Sequence, residues 1–393
     1  GALACGGGGG GANDAASADA GSLQDSSVLD AGILDGAASD AAVEPADYYV
    51  APDGDDTNPG TVDQPFATWQ KFADVAVPGD LCYVRGGTYP LTGTRRDGVN
   101  VSRSGASGQP VRMFAYPGER PILDCTAYTY DGSKYCLMHT AAWWHYKGLE
   151  TTGVKIDNTD GTAFATGFYV AGSHNVLERM DSNRHEGAGI RVNEDASDNL
   201  LLNCDSHDNY DPPTGGGNAD GFDLSFLAAS ATGNVVRGCR AWSNSDDGFD
   251  LWASDAPVVI DDALSFWNGY IPGTSTEAGN GDGFKCGLNK AGPRHVVRHC
   301  RAFENRTRGF DDNGAAGPLE WLHNIAYRNL SVSFQGADLA HVLRNNIAVG
   351  APNQLSASID QQFNSWTLPV VADDADFESV DSAGIDGPRA LDG

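Results

Sequence analysis

Positive charge is scarce in this chain. Lys and Arg number 25 against 53 Asp and Glu, for a formal net charge of −28. So acidic a surface repels nucleic acid and anionic membranes, which argues against a polyanion-coating role. No run of 18 apolar residues is present, so no membrane-spanning helix is expected. The eight cysteines include no CxxC pair, which speaks against a thiolate metal cluster. Long stretches of 3.6-residue hydrophobic period are also missing. What the chain does have is apolar content of 40%, enough for a sizeable core, and 50 glycines in 393 residues, above the usual roughly 7%. The length would allow two or three domains, but a single β-rich domain also reaches it.

The first 46 residues lack aromatics, Lys and Arg, and scatter acidic residues from Asp14 to Glu44 through Gly, Ala and Ser. Such a segment buries too little apolar surface to offset its ordering entropy, so residues 1–46 are expected to be a disordered tether. Its start, Gly1-Ala2-Leu3-Ala4-Cys5, resembles the end of a lipoprotein signal with Cys5 as the lipidated residue. A cropped secretory signal or a plain linker are the alternatives. Each of the two signal readings makes the chain exported, secreted or held at an outer surface. Order is expected from Tyr48-Tyr49-Val50 onward. The apolar spacing of Phe66 to Ala76 suits one short amphipathic helix, placed to cover the first edge of a coiled sheet.

From there the chain repeats itself. Met180, Cys204, Cys239, Ala263, Cys300, Asn324 and Asn346 occupy one column, spaced by 24, 35, 24, 37, 24 and 22 residues. A base period of 22 to 24 with longer turns suits the coils of a parallel β-helix, since helical repeats are typically longer. The cysteines of the column read as small core hydrophobes. Asn209, Asn244, Asn268, Asn305 and Asn329 form a second column. Asn tolerates the left-handed conformation at a tight turn, and stacked amides can bond one another, so a structural role is expected. Cys125 and Cys136 flank Asp131-Gly132 and are candidates for a disulfide in an exported chain.

A third set of columns carries charge. Asp220-Gly221-Phe222-Asp223, Asp247-Gly248-Phe249-Asp250, Asp282-Gly283-Phe284-Lys285 and Arg308-Gly309-Phe310-Asp311 are equivalent. Stacking at ~4.8 Å places Asp220, Asp247 and Asp282 in one row and Asp223, Asp250 and Lys285 in another, with Asp246 beside Asp247. Like charges so close cost free energy unless a cation intervenes. Convergent carboxylates make a hard-oxygen site that suits Ca²⁺ better than zinc or copper. A structural calcium site, a solvated acidic turn, and a plain Lys285 to Asp250 salt bridge remain open alternatives on pattern alone. His185, His207, His295 and His299 share no catalytic column.

With Ala219-Asp220-Gly221-Phe222, Asn244-Ser245-Asp246-Asp247-Gly248-Phe249-Asp250-Leu251, Gly283-Phe284-Lys285, Arg308-Gly309-Phe310-Asp311, Asn364-Ser365-Trp366 and Gly387-Pro388-Arg389, residues 47 to 390 resemble the pectate lyases of polysaccharide lyase family 9. The resemblance implies an all-β, right-handed parallel β-helix with a short N-terminal capping helix and long turn insertions. It implies a catalytic calcium on Asp220, Asp246, Asp247 and Asp250, and Lys285 as general base. The reaction would be β-elimination on a uronic acid polymer such as polygalacturonate. As base, Lys285 must fall well below its ordinary pKa of about 10.4, and calcium is expected to outweigh Asp250 and set an alkaline optimum. Arg308, one coil beyond Lys285, is the first candidate for a substrate carboxylate, ahead of Arg184, Arg191, Arg294 and Arg306. Trp252, Trp267 and Tyr270 could stack on sugars or pack loops. The sequence departs from the family at Cys286, at Leu288-Asn289-Lys290, and in insertions around Tyr210–Gly217 and Tyr270–Asn280. Two other readings stand beside the lyase: a β-helix hydrolase using paired carboxylates such as Asp246-Asp247, and a non-catalytic, calcium-stabilised carbohydrate-binding surface protein. A monomer is expected.

Overall fold

The structure is a computed structural model of the full chain and describes residues 43–158, 160–369 and 371–389. Cys5 and most of the expected tether lie outside the described residues. Glu44, just before the first strand, pairs with Arg112 at 2.9 Å.

Three parallel sheets run the length of the described chain. The first has 12 strands, from Tyr48–Val50 to Asp360–Gln362. The second and third have 10 strands each, running from Gly87–Thr94 to Ile347–Val349 and from Asp97–Val101 to Gln354–Leu355. Each coil visits the three sheets in turn, so that Asn234–Arg237, Arg240–Trp242 and Phe249–Asp250 make one coil, and Val258–Asp261, Leu264–Phe266 and Phe284–Lys285 the next. This is the expected parallel β-helix. The strands are short because three faces must share some two dozen residues per coil.

The helix is shorter than the amphipathic pattern implied. It spans Trp69–Val75, and Thr68 caps it by accepting the Lys71 N–H. Phe66 instead bridges to Val50 as extended chain. Trp69, Phe72 and Ala73 are buried, and the helix packs on Tyr48–Val50 and Asp97–Val101, the first strands of two sheets. It therefore covers exposed edges as expected.

Two tight turns per coil share one device. Between the first and second sheets, Arg179, Asn203, Gly238, Asp262, His299, His323 and Asn345 are left-handed, with φ between 53° and 65°. Each is followed by a member of the column from Met180 to Asn346. Between the second and third sheets, Asp208, Ser243, Trp267, Glu304 and Arg328 are left-handed, and each is followed by a member of the Asn column. This corrects the expectation from sequence: the asparagines are not the left-handed residues but stand one position later.

The asparagines are there for hydrogen bonding. The Nδ2 of Asn209, Asn244, Asn268 and Asn305 donates to Oδ1 of the next member at 2.8, 3.0, 2.9 and 3.0 Å, ending on Asn329. The same Oδ1 atoms also accept the backbone N–H of the preceding member. A buried amide is both donor and acceptor, so the ladder satisfies itself. The glycines of the Asp-Gly-Phe motifs make room behind it: a Cβ on Gly248 would meet Ser265 Oγ at 2.0 Å and Asn268 Nδ2 at 3.0 Å.

Inside, Phe222, Phe249, Phe284, Phe310 and Phe334 stack with centroids 4.7 to 4.9 Å apart and planes within 5°. Cys204, Cys239 and Cys300 are free and buried, as expected of core hydrophobes. Cys125 and Cys136 form a disulfide between strands of the second and third sheets. Outside the second sheet, Trp242, Phe266, Phe303, Tyr327 and Val349 form a separate apolar cluster. The C-terminal segment folds back over it through Phe377 and Ile385. Arg389 and Arg240 both grip Asp205, at 2.8 and 2.7 Å, and Arg240 also binds the carbonyls of Ile385 and Gly387.

Candidate active site

The charged columns meet where the second turn enters the third sheet. Asp220, Asp247 and Asp282 each precede a two-residue strand, and each uses Oδ1 to accept the next coil's backbone N–H. The distances are 3.1 Å from Asp247, 2.7 Å from Asp282 and 3.0 Å from Arg308. One oxygen of each carboxylate is thereby fixed, and the second meets Lys285 at Asp247 and Arg308 at Asp282. Asp246 accepts the N–H of Asn280 at 2.6 Å, so the Tyr270–Asn280 insertion holds it in place.

The structure brings the predicted residues together. Oxygens of Asp220, Asp246 and Asp247 lie within 4.8 Å of one another, and all three side chains are buried. Asp250 joins them through Lys285, whose Nζ sits 2.9 Å from Asp247 Oδ2 and 3.0 Å from Asp250 Oδ2. Burial, and then the neighbouring carboxylates, push Asp220 and Asp246 well above the usual carboxylate range. Burial also raises Asp250, against the pull of Lys285. A buried group of acids with one amine among them fits a hard divalent cation.

For Lys285 the protein's own groups give the opposite sign from the one expected with calcium. Burial alone would lower its pKa, but Asp247, Asp250, Asp220 and Asp246 outweigh burial and hold it above the ordinary lysine range. The lysine is thus an ammonium paired to two carboxylates, not to Asp250 alone.

Arg308 is heavily engaged. It lies 3.0 Å from Asp282 and 3.3 Å from Asp311, and its Nε donates to Gln335 at 2.9 Å. Arg294 pairs with Glu320 and Arg306 with Glu277, while Arg184 is a left-handed turn residue. Trp267 donates its indole N–H to Glu304, and Trp252 packs on Phe226. The four histidines lie elsewhere. His185 and His295 accept backbone N–H groups in the core, His207 pairs with Asp181, and His299 with Asp261. The motif columns did not place Arg191 in the site's row, although strand pairing puts it directly before Asp223.

Residues 48–346 match the family described as Pel9A-like, right handed beta helix region. The chain belongs to this family. Pectate lyase L of Dickeya chrysanthemi is 34% identical over 349 residues, covering 86% of this chain and 78% of that protein. The crystal structure of pectate lyase Pel9A aligns with a TM-score of 0.76 at 32% identity, over 88% of this chain and 86% of the other. A rhamnogalacturonan lyase aligns with a TM-score of 0.79 at 29% identity, over 88% and 93%. Like these relatives, the chain is a right-handed parallel β-helix and a polysaccharide lyase. The hydrolase and non-catalytic alternatives fall away with that assignment.

Proposed function

We propose that the chain cleaves a uronic acid polymer of the pectate type by calcium-dependent β-elimination, with Lys285 as general base. The observation that carries this reading is the position of the Lys285 amine inside a buried acidic cluster on the outward face of the third sheet. Lys285 takes the C5 proton of a uronate, the C4–O bond breaks with its electron pair on the departing oxygen, and a C4=C5 double bond forms. Asp247 and Asp250 hold the amine in place beforehand. Calcium bound by Asp220, Asp246, Asp247 and Asp250 would neutralise the uronate carboxylate, stabilise the charge that grows on it, and favour the free amine by competing for the oxygens that now pair with the ammonium. Arg308, with 29% of its side chain exposed, is the proposed contact for an adjacent carboxylate.

The chain is also read as exported, which the Cys125–Cys136 disulfide supports. A lipid anchor at Cys5 remains part of that proposal. The test is an ultraviolet assay on polygalacturonate and rhamnogalacturonan, with and without a chelator. A conjugated product that appears only with calcium is expected. Full activity in the chelator would overturn the calcium assignment, and cleavage without ultraviolet absorbance would overturn the elimination.

A further inference from the structure

The outward row of the third sheet continues past the acidic cluster. Strand pairing sets Arg191, Asp223, Asp250, Lys285 and Asp311 side by side on five successive coils. Arg191 therefore stands two coils from Asp250 and three from Lys285, roughly 10 and 14 Å along the axis. Only 12% of its side chain is exposed. Its Nε lies 3.2 Å from Asp223 Oδ2 but has no well-aligned hydrogen bond. Asp223 in turn uses Oδ1 for the Ser225 N–H. Among the described residues the terminal nitrogens of Arg191 bind nothing, unlike those of Arg308.

The guanidinium sits between two aromatic rings, 5.6 Å from Phe164 and 5.8 Å from Phe226. Both rings are open to solvent, at 38% and 48% exposure. Phe226 occupies a left-handed turn position, at φ 59°, that Ala253 and Leu288 occupy on the next two coils. Trp252 holds it edge-on at 4.8 Å. Core packing does not require the exposure of either ring, so the arrangement beside the unpaired guanidinium edge points to a ligand. The row gives that ligand's chemistry: a fork of unused N–H donors in an acidic protein, with aromatic faces on either side.

We infer that Arg191, Phe164 and Phe226 form a second carboxylate subsite, which holds a uronate unit two to three sugars away from the one at Lys285. The carboxylate accepts from the free edge of the guanidinium, and the sugar ring lies against Phe226. The inference rests on the uronan reading above. It adds that affinity depends on substrate length on the Arg191 side of the cluster.

The test compares wild-type chain with Arg191→Gln, which keeps most of the side-chain volume. A charge-assisted hydrogen bond of this kind is worth about ten- to a hundredfold in affinity. Hexagalacturonate binding by calorimetry is expected to weaken by that factor. In turnover the loss is expected in KM rather than kcat, and to grow with the length of the oligogalacturonate. Phe226→Ala should give a smaller loss in the same direction. Should the glutamine variant fail to fold, Arg191→Lys, with the charge but not the fork, serves in its place. Equal binding by wild type and a folded Arg191 variant would overturn the subsite alone. Failure of the wild type to bind hexagalacturonate would overturn both this inference and the uronan reading.

Discussion

Two ladders run side by side through the same turn and differ by little more than an amide in place of an acid. Asn209 to Asn329 form one, Asp220 to Asp282 the other. Both lend an oxygen to a backbone N–H of a neighbouring coil. The amide also donates, so the Asn ladder closes on itself and asks nothing of its surroundings. The acid only accepts, so each coil leaves a charged oxygen unspent. Repetition that stabilises amides and phenyl rings thus accumulates repulsion in carboxylates. The protein's own answers are Lys285 within the cluster and Arg308 at its end. The difference separates the scaffold from the candidate site within a single turn.

The lone amine of the acidic ladder gives the strongest way to test that contrast. Lys285→Ala should lower turnover by about a thousandfold or more, in line with loss of a general base. Circular dichroism in calcium should be native, and retained turnover would remove Lys285 from the chemistry. Importing the acid into the amide ladder should damage the fold instead. Asn268→Asp keeps an acceptor but sets a buried charge against Asn305 Oδ1, at an expected cost of about 3 kcal/mol or more. Urea denaturation reads it, and an unchanged midpoint would mean that the ladder does not depend on its donors. The reverse exchange, Asp247→Asn, should spare the Asp282 N–H contact while removing one ligand charge. The rise in melting temperature on adding calcium should shrink by the equivalent of about tenfold in affinity. An undiminished rise would exclude Asp247 as a ligand.

The smallest effect lies away from both ladders. His207 stacks on Trp242 and pairs with Asp181 and Asp208 at 3.2 and 2.8 Å. Burial opposes its charge, but the two carboxylates prevail and raise its pKa to about 9. Its stabilising effect is therefore complete below about pH 6.5 and fades as pH rises through about 9. The melting-temperature gap between wild type and His207→Gln should narrow across that window. A gap independent of pH would show that His207 acts by packing alone.

Much of the site is legible in the amino-acid sequence because stacking ties register to spacing along the chain. Asp220, Asp247, Asp250 and Lys285 each sit in a repeated motif, with Asp246 beside Asp247, and the coil converts motif alignment into contact. Where the motif fades, legibility fades with it. Arg191 follows Gly189-Ile190 rather than Gly-Phe, so its place in the row is visible only in the strand pairing. The left-handed positions are hidden because Asp208, Ser243, Trp267, Glu304 and Arg328 share no side-chain type, while the conspicuous asparagines stand next to them. The two-carboxylate pairing of Lys285 is hidden too, since Asp250 and Asp311 flank it in the strand row while Asp247 reaches it from the turn.

The folded-back C-terminal segment carries a practical consequence. A chain cut after Gln362 would keep every coil that carries the candidate site yet lay bare the stripe from Trp242 to Tyr327. Oily and flat, that stripe would glue one truncated molecule to another, so trimming this end for crystallisation or tagging would trade away solubility before it touched chemistry.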